Sequence, residues 1–248
     1  MKVFRFSNKV ILASGVVVLL LIGLAGMAGW QYRERATLQR VDVSGARISS
    51  EERIRELAAL EEGALLYAVS LDSVEVRVLH HPWIESASAK RTATGKIRIR
   101  VTERRPVAIY LPDSGEGCYA DALGFCLPLV DGFAFDVPVI RSRLTVTSDG
   151  HHRRFTGTGV REMLAAIAGL DDRTLALVSE IEEDSNGGLT VRTTPIPGRD
   201  SIPVALGKGD YEKKLIRLAA FWEQVLLRQP DQQIRSIDLR YNNQILTT

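Results

Sequence analysis

Reactive and metal-binding side chains are sparse: the 248 residues hold two cysteines and four histidines. Cys118 and Cys126 cannot make a four-ligand zinc site by themselves, and no histidine lies near them in sequence. The histidines form two adjacent pairs, His80-His81 and His151-His152. Adjacent side chains on a helix or strand point in different directions, so neither pair is a ready bidentate clamp. Gly-x-Ser-x-Gly, His-Glu-x-x-His and a cysteine–histidine signature are all missing. Thr156-Gly157-Thr158-Gly159 lacks the Gly-Lys-Ser/Thr and the βαβ setting of a phosphate loop, and reads as a turn with a helix N-cap. No catalytic residue, metal, cofactor or small-molecule substrate is therefore expected. Charge of one sign is lacking too: 32 basic against 30 acidic side chains leave a net +2. Without a basic block there is no electrostatic footprint for nucleic acid.

What the chain does have is one long apolar run. Val10 to Gly29 carries no charged side chain, and at about 1.5 Å per residue it extends roughly 30 Å, the hydrocarbon thickness of a bilayer. Trp30 and Tyr32 follow, where amphipathic rings favour the interface. Lys2, Arg5 and Lys9 precede the run without an acidic residue, while Arg33, Arg35 and Arg40 follow it, so positive charge alone nearly balances. Length breaks the tie: residues 1–9 read as a short cytoplasmic tail, 10–29 as a transmembrane helix, 30–37 as a linker or helix continuation, and the rest as exported. A cleavable signal peptide is the competing reading, with small residues at Gly26-Met27-Ala28. The run is longer than the roughly 7–15 residues of a signal core, and no clean Ala-x-Ala ends it.

The remainder has an ordinary globular composition, 45% hydrophobic and 25% charged. Leu38 to Ser44 reads as a strand ending at Ser44-Gly45. Ser49 and Glu52 form a capping box ahead of a helical stripe at Ile54, Leu57 and Ala58. A second helix spans Leu71 to Leu79, and His80-His81-Pro82 ends it. Trp83–Arg91 and Lys96–Arg104 read as strands joined at Thr94-Gly95. This strand–helix–helix–strand–strand order buries both stripes on one face of a three-stranded sheet. Further on, short strands are expected at 107–111, 117–120, 124–127, 137–140, 179–184, 189–194 and 202–206, with Asn186-Gly187 as a hairpin turn. A helix spans Arg161–Leu170, and another, capped by Asp210, carries Tyr211, Leu215, Leu218 and Trp222 on one stripe. Ser236–Tyr241 is the final strand. Cys118 and Cys126 flank the Asp121–Gly124 turn; in an exported domain they either form a cross-strand disulfide or remain two thiols, depending on the hairpin register.

The module of residues 38–106 resembles a POTRA domain, the polypeptide-transport-associated module. Three segments sharpen this: Val41-Asp42-Val43-Ser44-Gly45, Pro82-Trp83-Ile84 with Ala87 and Arg91, and the run from Val101 through Glu103-Arg104-Arg105-Pro106 to Ala108. With Leu206-Gly207, Lys214-Leu215 and Ile237-Asp238-Leu239-Arg240-Tyr241, they resemble the FtsQ/DivIB family of bacterial cell-division proteins across nearly the whole chain. Three features depart from it: Asn242-Asn243-Gln244 stands where the family commonly has a glycine, Thr193–Ser201 looks like a lengthened hairpin arm, and the expected cytoplasmic tail is short. The implied fold is α+β: one N-terminal transmembrane helix, a β-α-α-β-β POTRA domain and, over 107–248, a mostly antiparallel β domain with two helices.

The resemblance implies a non-enzymatic inner-membrane scaffold of the divisome, linking early and late division proteins at the septum from the periplasm. It further implies that the terminal region receives a segment of FtsB, in complex with FtsL, which carries over to Arg240, Tyr241, Asn243 and Gln244. Strand addition at an exposed sheet edge would supply the mechanism. The plainer reading of Arg240 and Tyr241 is a solvated arginine and a half-buried tyrosine on an ordinary edge strand. Alternative functions are a POTRA-containing adaptor for polypeptide transport or envelope assembly, and a tethered periplasmic hydrolase.

Overall fold

A computed structural model describes residues 8–112, 115–141, 146–196, 200–228, 234–241 and 244–248. The chain divides into two compact units, one built from residues up to Ala46 with Ser50–Val78 and Ala87–Val101, the other from Arg47–Ser49, Leu79–Ser86 and Thr102–Thr248.

In the first unit, α1 (Asn8–Arg35) is a single helix that continues through the expected linker to Arg35. Its stretch Gly15–Arg35 is long and apolar enough to cross a membrane. Val16, Leu19, Ile22 and Leu24 are each more than half exposed, so among the described residues nothing covers this apolar surface. The strand β1 (Arg40–Ser44) and the helices α2 (Glu51–Ala58) and α3 (Leu71–Leu79) follow. Next come β2 (Ile84–Arg91) and β3 (Lys96–Glu103), in a sheet of order β1-β3-β2. β1 runs parallel to β3, with Val41 beside Ile97 and Val43 beside Ile99. All four are buried, as are Ile54, Ala58, Val74 and Val78 from the helices. Gly45 has φ +95°, and a Cβ there would lie 2.0 Å from the Val101 carbonyl oxygen, so the turn after β1 admits only glycine.

The expected capping box differs in detail. Ser50 is the N-cap of α2, its hydroxyl accepting from the Arg53 N–H at 3.2 Å. Ser49, within the second unit, instead donates its hydroxyl to Glu103 Oε1 at 2.6 Å. That oxygen also accepts the N–H groups of Arg47, Ile48 and Ser49. A carboxylate more than fifty residues away thus takes the hydroxyl that local spacing assigned to the helix.

The second unit is built on one eleven-stranded sheet. In chain order its strands are β4 (Pro106–Tyr110), β5 (Cys118–Asp121), β6 (Phe125–Pro128), β7 (Val139–Arg141), β8 (Val146–Ser148) and β9 (Arg153–Phe155). The helices α4 (Thr158–Ala168) and α5 (Asp172–Leu175) precede β10 (Val178–Glu183), β11 (Leu189–Thr193) and β12 (Pro203–Gly207). Finally α6 (Tyr211–Phe221), extended by a π turn at Trp222–Leu226, leads to β13 (Ile237–Asp238) and β14 (Leu246–Thr247). The sheet order is β14-β13-β12-β11-β10-β7-β4-β5-β6-β9-β8. Pairing is antiparallel except at β4–β7, β7–β10 and β12–β13. Helices α4 and α6 lay Met163, Leu164, Ile167, Leu215 and Leu218 on a core that includes Ile140, Ile181, Val191 and Val204.

Strand β5 is buried on both faces. Cys118 and Ala120 join the main core, while Tyr119 joins Trp83 and Leu127 in a smaller cluster. The indole N–H of Trp83 donates to the Pro128 carbonyl at 3.0 Å. The register sets Cys118 opposite Pro128 and Cys126 opposite Ala120, so the two cysteines are diagonal neighbours on one face. They form a disulfide, with Cα atoms 5.5 Å apart. At the turn, Asp121 accepts from the Leu123 and Phe125 N–H groups and pairs with buried Arg104 at 2.8 Å.

Three further differences from the sequence reading concern local chemistry. Strands β8 and β9 and the one-turn helix α5 were not expected; each is only three or four residues long, too short for a periodic signal. Asp210 stands at the N-cap of α6 but has φ 51° and makes no side-chain capping bond. Helix α4 begins at Thr158, ahead of the expected Arg161, with Gly157 of the expected turn as its N-cap. The two histidine pairs, about seventy positions apart in sequence, meet: His80 and His151 stack with ring centroids 3.7 Å apart. Among the described residues no group of three or more His, Cys, Asp or Glu side chains could hold a metal ion.

Candidate functional site

The C-terminal end of the sheet is assembled by α6 and β12. Lys214 reaches back from the first turn of α6, its ammonium donating to the carbonyls of Leu206 (2.8 Å), Lys208 (3.0 Å) and Gly209 (2.8 Å). The residue is buried, and burial pushes its pKa down against the opposing field of Asp210. This cation ties the β12–α6 turn and sets where the helix leaves the sheet.

Beside β12 runs β13, parallel, with Val204 next to Ile237 and Ala205 next to Asp238. The N–H of Leu239 still donates to the Ala205 carbonyl at 2.8 Å, and Leu239 is fully buried. Beyond it the chain turns away. Arg240 folds over Gly207, whose φ of +67° and missing Cβ leave room for the arginine stem. Its guanidinium grips Asp238 through both carboxylate oxygens at 2.6 to 3.0 Å. These hydrogen bonds hold the Asp238 carboxyl below the ordinary aspartate range. Arg240 therefore clamps its own strand while keeping one flank in solvent. Tyr241 is half exposed. Its carbonyl and that of Gln244 both accept from Arg217 on α6, at 3.1 and 3.0 Å. Asn243 lies outside the described residues.

The expected last strand, 236–241, is not the edge of the sheet. Only Ile237–Asp238 is in the ladder, and β14 covers it, Thr247 opposite Ile237 and Leu246 opposite Asp238. Ser236 and Thr248 exchange both backbone hydrogen bonds. The adjacent Ile237–Thr247 pair is then the kind that exchanges none. The N–H and C=O of Thr247 consequently point away from the sheet, at its open edge. Leu246 is exposed there, flanked by exposed Gln244 and half-buried Ile245. Sequence reasoning passed over Leu246, Thr247 and Arg217. The β-prone Ile245-Leu246-Thr247 triplet was the available signal for the first two, whereas the role of Arg217 depends on a contact across more than twenty residues.

Together these features define a class: α+β proteins with one membrane-length N-terminal helix, a small β-α-α-β-β module and a β-rich domain ending in an open edge. The family model described as POTRA domain, FtsQ-type, matches residues 36–104, and that described as FtsQ/DivIB, C-terminal related, matches residues 105–248. Cell division protein FtsQ of Rhodothermus marinus is 39% identical over 238 residues, covering 95% of this chain and 85% of the relative. The same-named protein of Salinibacter ruber is 36% identical over 248 residues, with 98% and 92% covered. That of Geotalea daltonii is 29% identical over 238 residues, with 94% and 84% covered. The chain belongs to the FtsQ family of cell division proteins. Membership carries a role in the divisome and, with α1, fits a single-pass membrane protein at the septum.

Proposed function

We propose that the protein is a non-enzymatic scaffold that links early and late division proteins, with residues 38–106 acting as its POTRA domain and 107–248 as its partner-binding domain. The observation that carries the binding mode is the open β14 edge, where Thr247 offers an N–H and C=O unpaired among the described residues and Leu246 an exposed apolar side chain. A strand from an FtsB-type partner, in complex with FtsL, adds to this edge and meets Tyr241 and Gln244 at its flank. The N-terminus is cytoplasmic and both units are periplasmic. The buried Cys118–Cys126 disulfide supports this, because such bonds persist in oxidising compartments and are rare in the cytosol.

The structure changes which variant tests the edge. Reversing the charge at Arg240 would set two carboxylates against each other at Asp238 and damage β13 itself. Thr247→Pro removes only the outward N–H, and Leu246 before it is already extended, as a pre-proline residue prefers. Combined with Tyr241→Ala in the full chain, it should reduce co-purification of the FtsB/FtsL-type partners at least about tenfold, or ~1.4 kcal/mol, with an unchanged thermal midpoint. Undiminished capture would refute the edge. A fluorescent fusion before Met1 should concentrate at midcell, whereas uniform envelope signal would favour a transport adaptor.

A further inference from the structure

In the first unit the chain is fastened to its own membrane helix almost as soon as that helix ends. Leu66 donates its N–H to the Ala36 carbonyl, Leu38 to Ala64 and Gly63 to Leu38, at 2.7 to 2.8 Å, and Thr37 bridges Leu65. The Tyr32 hydroxyl, still on α1, donates to the Ala93 carbonyl in the β2–β3 turn at 2.7 Å. Arg91 donates to the Leu66 carbonyl at 2.9 Å. The 63–68 loop is thus held at the height of the last turns of α1. Between loop and helix lies an open, mostly apolar hollow of about 400 Å³ lined by Trp30, Arg33, Glu34, Leu65, Tyr67 and Ala68.

The height of that hollow follows from α1. If Val10 to Gly29 fills the roughly 30 Å hydrocarbon layer, Trp30 to Arg35 rises another ~7–8 Å, which is the thickness of one headgroup layer. Leu65 is 52% exposed and Tyr67 39%, apolar surface that water alone would leave unfavourable. The Tyr67 ring lies between two guanidinium groups, Arg33 at 5.4 Å and Arg91 at 5.8 Å. Arg33 has no carboxylate partner among the described residues. An apolar rim with a cation beside it matches the interfacial region of a phospholipid, glycerol and upper acyl chain against the rings and phosphate against Arg33.

We infer that the 63–68 loop of the first unit is seated in the lipid headgroup layer and that the hollow beside Trp30 holds a phospholipid of the bilayer that α1 crosses. The loop and α1 then act as one membrane anchor, which fixes the orientation of the small β-α-α-β-β module relative to the bilayer plane. A swinging tether would not do so. The test uses the full chain in phosphatidylcholine vesicles, with Leu65→Cys or Ala68→Cys carrying an environment-sensitive fluorophore. Both positions are exposed, and the native cysteines are bonded to each other, so the new thiol reacts selectively. Lipids brominated near the glycerol end of their acyl chains should quench both labels, and Tyr67→Glu should restore the emission at position 68 while the chain resists alkaline extraction. A label with aqueous, unquenched emission in a chain that resists extraction would overturn the proposal. So would a shielded label that brominated lipid does not quench, because a protein segment would then occupy the hollow. Extraction of the chain by alkali would overturn it separately, by removing the span on which it rests.

Discussion

Single side chains hold the second unit together where its backbone turns. Asp121 neutralises Arg104, whose guanidinium is buried and lies 3.8 Å above the Phe125 ring. Asp121→Ala leaves that cation without its carboxylate, and urea unfolding should report a loss of about 3–5 kcal/mol. Lys214→Met removes the donor shared by three carbonyls and should cost about 2–4 kcal/mol in the same assay. Glu103 gives a pH signature. Burial pushes its carboxyl up, but the Ser49 hydroxyl and three backbone N–H groups outweigh this and hold it below the ordinary glutamate range. With the folded value depressed, the folded state binds the proton more weakly than the unfolded state. The stability this supplies is therefore full above the unfolded value and is lost as pH falls through the folded one. The difference in unfolding free energy between the parent and Glu103→Gln should be largest at neutral pH and close in acid. Of these residues Glu103 and Arg104 stood in a motif legible in the sequence, but their partners did not, because Ser49 and Asp121 reach them only once the chain has folded.

Elements with their own periodicity were legible; those defined by a neighbour were not. Helix α3 has the expected bounds, and the β10–β11 hairpin turns at Asn186-Gly187, where Asp184 also accepts the Asn186 and Gly188 N–H groups. In contrast β13 and β14 are two residues each and exist because β12 offers an edge and Arg217 holds the intervening turn by two carbonyls. Arg217→Ala should therefore loosen this end selectively. Hydrogen exchange at the Leu246–Thr248 amides should accelerate and partner capture should weaken, while global stability falls by only about 1 kcal/mol. Equal acceleration throughout α6 and β12 would show instead that Arg217 supports the whole unit.

At the scale of the molecule, the disulfide connects compartment to stability. It closes a loop of sequence separation 8 between buried positions. Cys118→Ser with Cys126→Ser should cost roughly 2–3 kcal/mol, read from urea midpoints. In cells, alkylation of the parent protein before reduction should leave both sulfurs unlabelled if the unit is outside the cytoplasm, and labelling of both would place it inside. The sequence by itself determined the membrane-length helix, the β-α-α-β-β order and the hairpin signals. Each depends on hydropathy or turn chemistry within a few to twenty neighbouring residues. Only the tertiary structure decided that Cys118 and Cys126 share a sheet face, that Ser49 serves Glu103 instead of α2, and that β14 rather than the expected 236–241 strand is the open edge. Those outcomes depend on strand register and on which strand lies last in the sheet. Pairings between distant segments set both, and no local pattern in the chain encodes them.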